Sequence, residues 1–235
     1  MADYRAIYAA ADSAALYDRL VSREDHRGNV QSLLRELVPV GARVVEMGAG
    51  TGRLTRMLVP HASHVVVCEG AAAMLEVARA DFARRGVENV TFHVADNRAL
   101  PVETGSADVT VAGWTFGHAT GWYPDGWRAP ITVMLDEAAR VTRIGGKMIV
   151  LETLGTGSTE PRAPKPELAA YYAMMEDERG FVRHALRTDY RFESLEEAEK
   201  LVRFFFGDAL ADRVVRERLM VLPECTGVWV ATRAR

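Results

Sequence analysis

Three glycines spaced two apart, Gly48, Gly50 and Gly52, follow an acid, Glu46, which ends a short apolar run at Val44-Val45. Glycine removes the Cβ that would hold a ligand off the backbone, and it tolerates φ > 0 where the chain reverses. Leu54, Met57 and Leu58 then fall at helical spacing, so the stretch reads as strand, tight turn, helix. Such a turn is a ligand seat at the carboxyl edge of a parallel sheet, with the helix's unpaired N–H groups pointing over it. A dinucleotide fingerprint needs another glycine, or an alanine, three residues after Gly50, and Arg53 stands there instead. No Gly-Lys-Ser/Thr follows, which excludes a phosphate-cradling loop. An acid directly under the turn suits a ligand with a positive group better than a pyrophosphate.

Two more strand ends carry acids. His64 to Cys68 is a buried apolar run ending in Glu69, close to the ~20-residue offset at which an acid meets a ribose in nucleotide folds. A carboxylate has two oxygens to offer two vicinal hydroxyls. Asn89 to Ala95 is a third strand, followed by Asp96-Asn97. This constellation resembles the class I S-adenosylmethionine-dependent methyltransferases, specifically the small-molecule "type 11", UbiE-like group. The resemblance implies S-adenosyl-L-methionine as cofactor and S-adenosyl-L-homocysteine as product. It also implies cofactor-binding positions at Glu46, Gly48, Gly50, Gly52, Glu69, Asp96, Asn97 and Gly113, with Asp96 meeting the adenine amino group.

The fourth strand, Ala107 to Gly113, opens into a segment carrying Trp114, Phe116, His118, Trp122, Tyr123 and Trp127. Methyl transfer from a sulfonium releases a neutral leaving group, so the enzyme mainly aligns the reactants and excludes water. A base is needed only where the acceptor arrives protonated. His118 and Glu152, at the ends of strands four and five, stand on the right edge to be that base; His184 and Tyr172 are weaker candidates. Trp114, Trp122, Tyr123 and Trp127, with Tyr17 from the N-terminal region and Tyr171 and Tyr172 from an insertion, are expected to shape a mostly apolar acceptor pocket. Tyr4 and Tyr8 lie in the same cap region as Tyr17. Base-amine methylases carry Asn/Asp-Pro-Pro-aromatic at this strand end and cytosine-C5 enzymes a Pro-Cys nucleophile. Ala-Gly-Trp-Thr stands here, which argues against nucleic-acid substrates.

These residues need a scaffold that brings strand ends together. Alternating strands and helices predict a doubly wound, mostly parallel α/β sheet, and the resemblance implies seven strands, the last antiparallel. The 235 residues suit one domain burying roughly 70–75% of its unfolded surface. Residues 1–40 read as a helical cap, and 153–181 as an insertion after the fifth strand that forms a lid, with a Gly/Thr/Pro-rich mobile loop at 153–166. A sixth strand is expected around His184–Phe192, a helix over 194–217 interrupted near Gly207 and opened by a Ser194/Glu197 capping box, and a final strand over Arg218–Val230.

A net charge of −3 leaves no electrostatic footprint for nucleic acid. No apolar run reaches the ~20 residues of a membrane span, and the first residues lack a signal-peptide core, so a cytoplasmic monomer or homodimer is expected. Cys68 and Cys225 read as buried reduced thiols, and His61 with His64 as surface residues, so no metal is expected. Two other readings are a non-catalytic S-adenosylmethionine or S-adenosylhomocysteine binder and, opposed by Arg53, a nicotinamide oxidoreductase.

Overall fold

The structure, a computed structural model, describes residues 11–234; Tyr4 and Tyr8 lie outside them. The β-branched runs form β1 (Arg43–Met47), β2 (His64–Glu69), β3 (Val90–Val94), β4 (Ala107–Gly113) and β5 (Thr142–Thr156), all mutually parallel. With β6 (Val182–Arg187) and the last strand, β9 (Glu224–Thr232), they make a seven-stranded sheet in the order β3-β2-β1-β4-β5-β9-β6. β9 runs antiparallel to both β5 and β6. A separate ribbon pairs β7 (Tyr190–Arg191) with β8 (Val221–Leu222). Strand order reverses between β1 and β4, and in doubly wound sheets the ligand crevice opens at that switch point.

Period-two side-chain alternation sends the strands' apolar residues into two cores. On one face Val45 and Met47 pack with Ile131, Leu135 and Ala138 of α6 (Arg128–Val141). On the other Val44 packs with Leu34 of α2 (Asn29–Leu37) and with Leu54 and Leu58 of α3 (Arg53–Leu58). The remaining early helices are α1 (Ala11–Val21), α4 (Ala72–Arg84) and a short α5 (His118–Trp122). A third cluster joins Leu20 of α1 to Tyr190, Phe192, α8 (Leu195–Phe206) and α9 (Asp208–Glu217).

The C-terminal third differs from the sequence reading. Gly207, at φ 88°, does separate two helices, α8 and α9. Ser194 Oγ accepts from Glu197 N at 3.0 Å, but Glu197 returns its bond to Glu193 N rather than closing the box on Ser194. The other Glu197 oxygen receives Arg19 and Arg23, which ties α1 to the start of α8. The expected sixth strand is split into β6 and β7, and the final strand into β8 and β9. The stretch 153–166 is in part ordered strand: β5 continues through Thr156. After it, α7 (Pro166–Ala173) and the π-helical turn Met174–Glu178 bury Leu168, Tyr171, Tyr172, Met174 and Met175. With so many apolar side chains in three turns, the helix packs down onto the first core.

Candidate functional site

The β1–α3 turn is held by close approaches that only glycine permits. Gly48, at φ 66°, sits against the Thr115 side chain so tightly that a Cβ there would overlap it. Gly52, at φ 83°, would place a Cβ 2.8 Å from the Phe82 ring, so its absence lets α4 close on the turn. Gly50 faces only the Tyr17 ring, 3.6 Å from where its Cβ would be. Gly113 would meet Leu54 Cδ1 at 2.5 Å, which makes it a packing position between β4 and α3 and corrects its expected place against the cofactor. Glu46 is likewise corrected. Its carboxyl is buried beneath the turn, accepts from Thr55 Oγ1 at 2.5 Å and lines neither cavity described below. Burial pushes its pKa up to about 8, against the opposing pull of Thr55 and Arg56, so it is largely a neutral acid bracing the turn.

A cavity of about 720 Å³ opens over the ends of β1, β2 and β3. Gly48, Glu69, Gly70 and Ala71 form one wall, Ala95, Asp96 and Asn97 the next, and Thr115, Trp122, Tyr123 and Met134 the far side. Glu69 Oε2 accepts from Gly50 N at 2.8 Å and Oε1 from Ala71 N at 2.7 Å. These bonds lock the acid to the turn and leave each oxygen a further lone pair. Burial raises the Glu69 pKa, and the N–H groups of Ala71, Gly50 and Gly70 oppose the rise. Asn97 Nδ2 donates to Thr115 Oγ1 at 3.2 Å, while its buried Oδ1 has no partner among the described residues. Asp96, also on the wall, is clamped by Arg98, which lowers its pKa.

A second cavity, about 620 Å³, lies beyond Trp122, which borders both. Its reactive-edge wall holds Trp114, Gly117, His118 and Glu152, and Tyr17 covers it from α1. Glu152 Oε1 accepts from Gly117 N at 2.8 Å, and burial pushes its pKa up to about 8. His118 stacks on Trp122 with ring centroids 5.3 Å apart, and burial pulls its pKa down to about 4 against a hydrogen bond to the Trp114 main chain. At neutral pH the pair therefore presents a neutral imidazole and a mostly protonated carboxyl.

The far wall of this cavity is polar, and of its residues the sequence reading had weighed only Arg53, as a break in the dinucleotide fingerprint. Arg53 Nη1 donates to Glu24 Oε2 at 2.7 Å, Tyr190 Oη donates to the same oxygen at 2.7 Å, and Thr153 Oγ1 donates to Glu224 Oε1 at 2.8 Å. Phe205, Phe206 and Leu210 complete the enclosure. Glu24 sits in a loop and Glu224 follows a proline, so neither falls in a motif. Arg53, next to the last glycine of the turn, was the one signal a reader could have followed.

Three expected pocket residues are corrected. Tyr171 and Tyr172 are buried in the first core, with Tyr172 against the Trp229 ring at 4.5 Å and donating to Thr153 O at 2.8 Å. Trp127 packs edge-on to Tyr171, 6.5 Å between centroids. None of the three lines either cavity. The Tyr171 hydroxyl lies near enough to Glu152 for the two to influence each other, though outside hydrogen-bond geometry. Tyr123 lines the first cavity and not the second. His184 stands on β6 and lines neither cavity. His61 Nε2 accepts from Arg35, His64 meets Thr91, and no group of three or more metal-ligating side chains occurs among the described residues. Cys68 and Cys225 are buried free thiols. Among the described residues no helix is long and apolar enough to cross a membrane.

The chain is similar in sequence and fold to known proteins. A family model described as "Methyltransferase domain" matches residues 44–146. A demethylmenaquinone methyltransferase of Clavibacter sepedonicus is 30% identical over 59% of this chain and 57% of its own length. One from Beutenbergia cavernae is 29% identical over 68% and 64% respectively. The chain thus spans less than two thirds of each of these curated relatives. The YcgJ protein of Bacillus subtilis shares the fold at TM-score 0.62, with 15% identity over 89% of this chain and all of that one. A Haemonchus contortus phosphoethanolamine N-methyltransferase does so at TM-score 0.60, with 15% identity over 96% of this chain and 58% of that one. By these comparisons residues 44–146 resemble a methyltransferase domain, and the chain is similar to UbiE-like methyltransferases.

Proposed function

We propose that the protein transfers a methyl group from S-adenosylmethionine to a small organic molecule. The observation that carries this reading is the pair of cavities meeting at Trp122, one with nucleoside-binding chemistry and one with candidate bases. In the first, Glu69 has lone pairs for two ribose hydroxyls, the unpartnered Asn97 Oδ1 suits an exocyclic amino group, and Ala71, Ala95 and Met134 give an apolar bed for a purine. This revises the expected adenine contact from Asp96, whose oxygens are taken by Arg98, toward Asn97. The bound cofactor supplies an electrophilic methyl on a sulfonium that leaves without charge.

The chain's own part is to align and to dehydrate. Tyr17, Trp114 and Trp122 enclose the second cavity, and His118 and Glu152 stand where an acceptor's proton can be taken. His118 is neutral at pH 7 and needs no prior deprotonation; Glu152 becomes a base only as the pH approaches 8. The net charge of −3 favours a small molecule over nucleic acid. The curated relatives' names suggest a quinone-type acceptor as a second reading, for which the aromatic enclosure is suitable.

Calorimetry with S-adenosylhomocysteine, followed by incubation with methyl-labelled S-adenosylmethionine and a metabolite extract, tests the proposal. Micromolar binding and label transferred to a small molecule are expected. Absence of S-adenosylhomocysteine binding at millimolar concentration removes the methyltransferase reading.

A further inference from the structure

Four buried polar atoms of residues that line the far wall of the second cavity have no hydrogen-bond partner among the described residues: Arg53 Nε and Nη2, Glu24 Oε1 and Glu224 Oε2. Native interiors rarely leave such atoms unpaired, because each loses its hydration without a replacement, so four around one cavity point to a ligand. With both acids ionised they divide evenly into two donors and two acceptors. From this juxtaposition we infer that the cavity binds an acceptor carrying both an amine and a carboxylate, Arg53 taking the carboxylate and Glu24 with Glu224 taking the ammonium.

The inference rests on the acceptor reading of this cavity and narrows its substrate class. Its geometry is prearranged: Arg53 is pinned by the Glu24 contact at 2.7 Å and by the Trp114 ring, 3.9 Å below its guanidinium carbon. Tyr190 and Thr153 fix the two carboxyls in turn. A preorganised fork of this kind matches a planar carboxylate in a bidentate contact. A dianionic phosphate fits poorly, because one guanidinium would face two acids beside it. A purely apolar ligand would leave all four atoms unpaired. Burial raises the Glu224 pKa to about 8, so an arriving ammonium would find a carboxyl ready to release its proton.

The test uses the full chain saturated with S-adenosylhomocysteine and a matched panel of amino acids with their decarboxylated and deaminated counterparts. Phenylalanine, phenethylamine and 3-phenylpropionate form one such triple. At least one amino acid should bind about tenfold or more tighter than both of its counterparts. The double variant Glu24→Gln/Arg53→Gln, which leaves no unpaired buried charge, should lose that preference. Glu224→Gln should weaken amine and amino-acid binding at least threefold while leaving the deaminated acid unchanged. The inference is overturned if no amino acid outbinds its counterparts, or if the preference survives both variants. Since S-adenosylhomocysteine binding is measured first, its failure would sink the methyltransferase reading itself, whereas normal binding with an indifferent panel sinks only this one.

Discussion

The Arg53 guanidinium lies over the Trp114 ring, 3.9 Å from its centroid, while its Nη1 reaches Glu24 at 2.7 Å. Trp114 holds φ 51°, a left-handed conformation unusual for so bulky a residue, so the backbone after β4 is strained to aim the indole there. The contact joins the glycine turn, the β4 exit and the α1–α2 loop in one cluster.

Removing the guanidinium strands a carboxylate that is nearly inaccessible to water. Arg53→Ala should therefore cost about 3–5 kcal/mol, or roughly 10 °C in Tm for a chain of this size. Arg53→Lys keeps the charge but loses the planar stack and should cost about 1–2 kcal/mol. Thermal melts of both variants decide it. Equal melting temperatures for the two would mean that Glu24 does not depend on this pair.

Glu69 braces the turn itself, because its oxygens hold the N–H groups of Gly50 and Ala71. Glu69→Ala should weaken S-adenosylhomocysteine binding by roughly 2–4 kcal/mol, about 30–1000-fold. It should also lower the melting temperature without ligand, since two buried N–H groups lose their acceptor. Calorimetry and melts on the same sample separate the effects. A dissociation constant within threefold of wild type would take Glu69 out of the site.

The parallel sheet was legible because buried strands alternated with amphipathic helices and ended in turn residues. The glycine turn and its bracing acid were legible because Gly48, Gly52 and Glu69 act through local backbone geometry, which spacing reveals. Glu46 and Gly113 misled for the same reason: strand-end positions look alike in sequence, whether they face a cavity or the Leu54 and Thr55 side. Trp127 misled because an aromatic in a Gly/Pro-rich neighbourhood can still pack inward, and Tyr171 and Tyr172 because an inserted helix can turn its aromatics onto a core, as Tyr172 does against Trp229. The wall of Glu24, Arg53, Tyr190 and Glu224 joins four distant parts of the chain. Only tertiary packing brings them together, so no local pattern could announce it.

Three buried carboxyls set an unusual pH dependence. Glu46, Glu152 and Glu224 keep their protons in the folded chain up to about pH 8, against an ordinary value of 4.5. Between those limits the folded state binds more protons than the unfolded one, so stability falls as pH rises through this window. His118, depressed from 6.5 to about 4, acts oppositely, and its contribution is complete once the pH passes 6.5. Melting temperature should therefore decline between pH 7 and 8.5. Glu46→Gln, which keeps an acceptor for Thr55, should flatten the decline. A melting temperature that is constant or rising over that range would contradict the protonated assignment of these acids.

Trp122 borders both cavities and stacks on His118, so its removal should be felt in three separable ways. Trp122→Ala should lower kcat/KM on an identified acceptor by about tenfold or more, because the acceptor loses an enclosing wall and water enters. Its effect on S-adenosylhomocysteine affinity should be smaller, a few-fold, since Glu69 and Asn97 lie on other elements. The third effect is specific to the stacked geometry. Burial is the main cause holding the His118 pKa near 4, and the indole forms part of that cover. Opening the site to water should move the imidazole back toward 6.5, which a histidine-selective NMR titration reads directly. If His118 is the base, the acidic limb of the pH–rate profile moves up with it, whereas a limb set by Glu152 stays near 8. A His118 titration unchanged in Trp122→Ala would show that other groups keep the ring dry, and the division between the two cavities would then rest elsewhere than on Trp122.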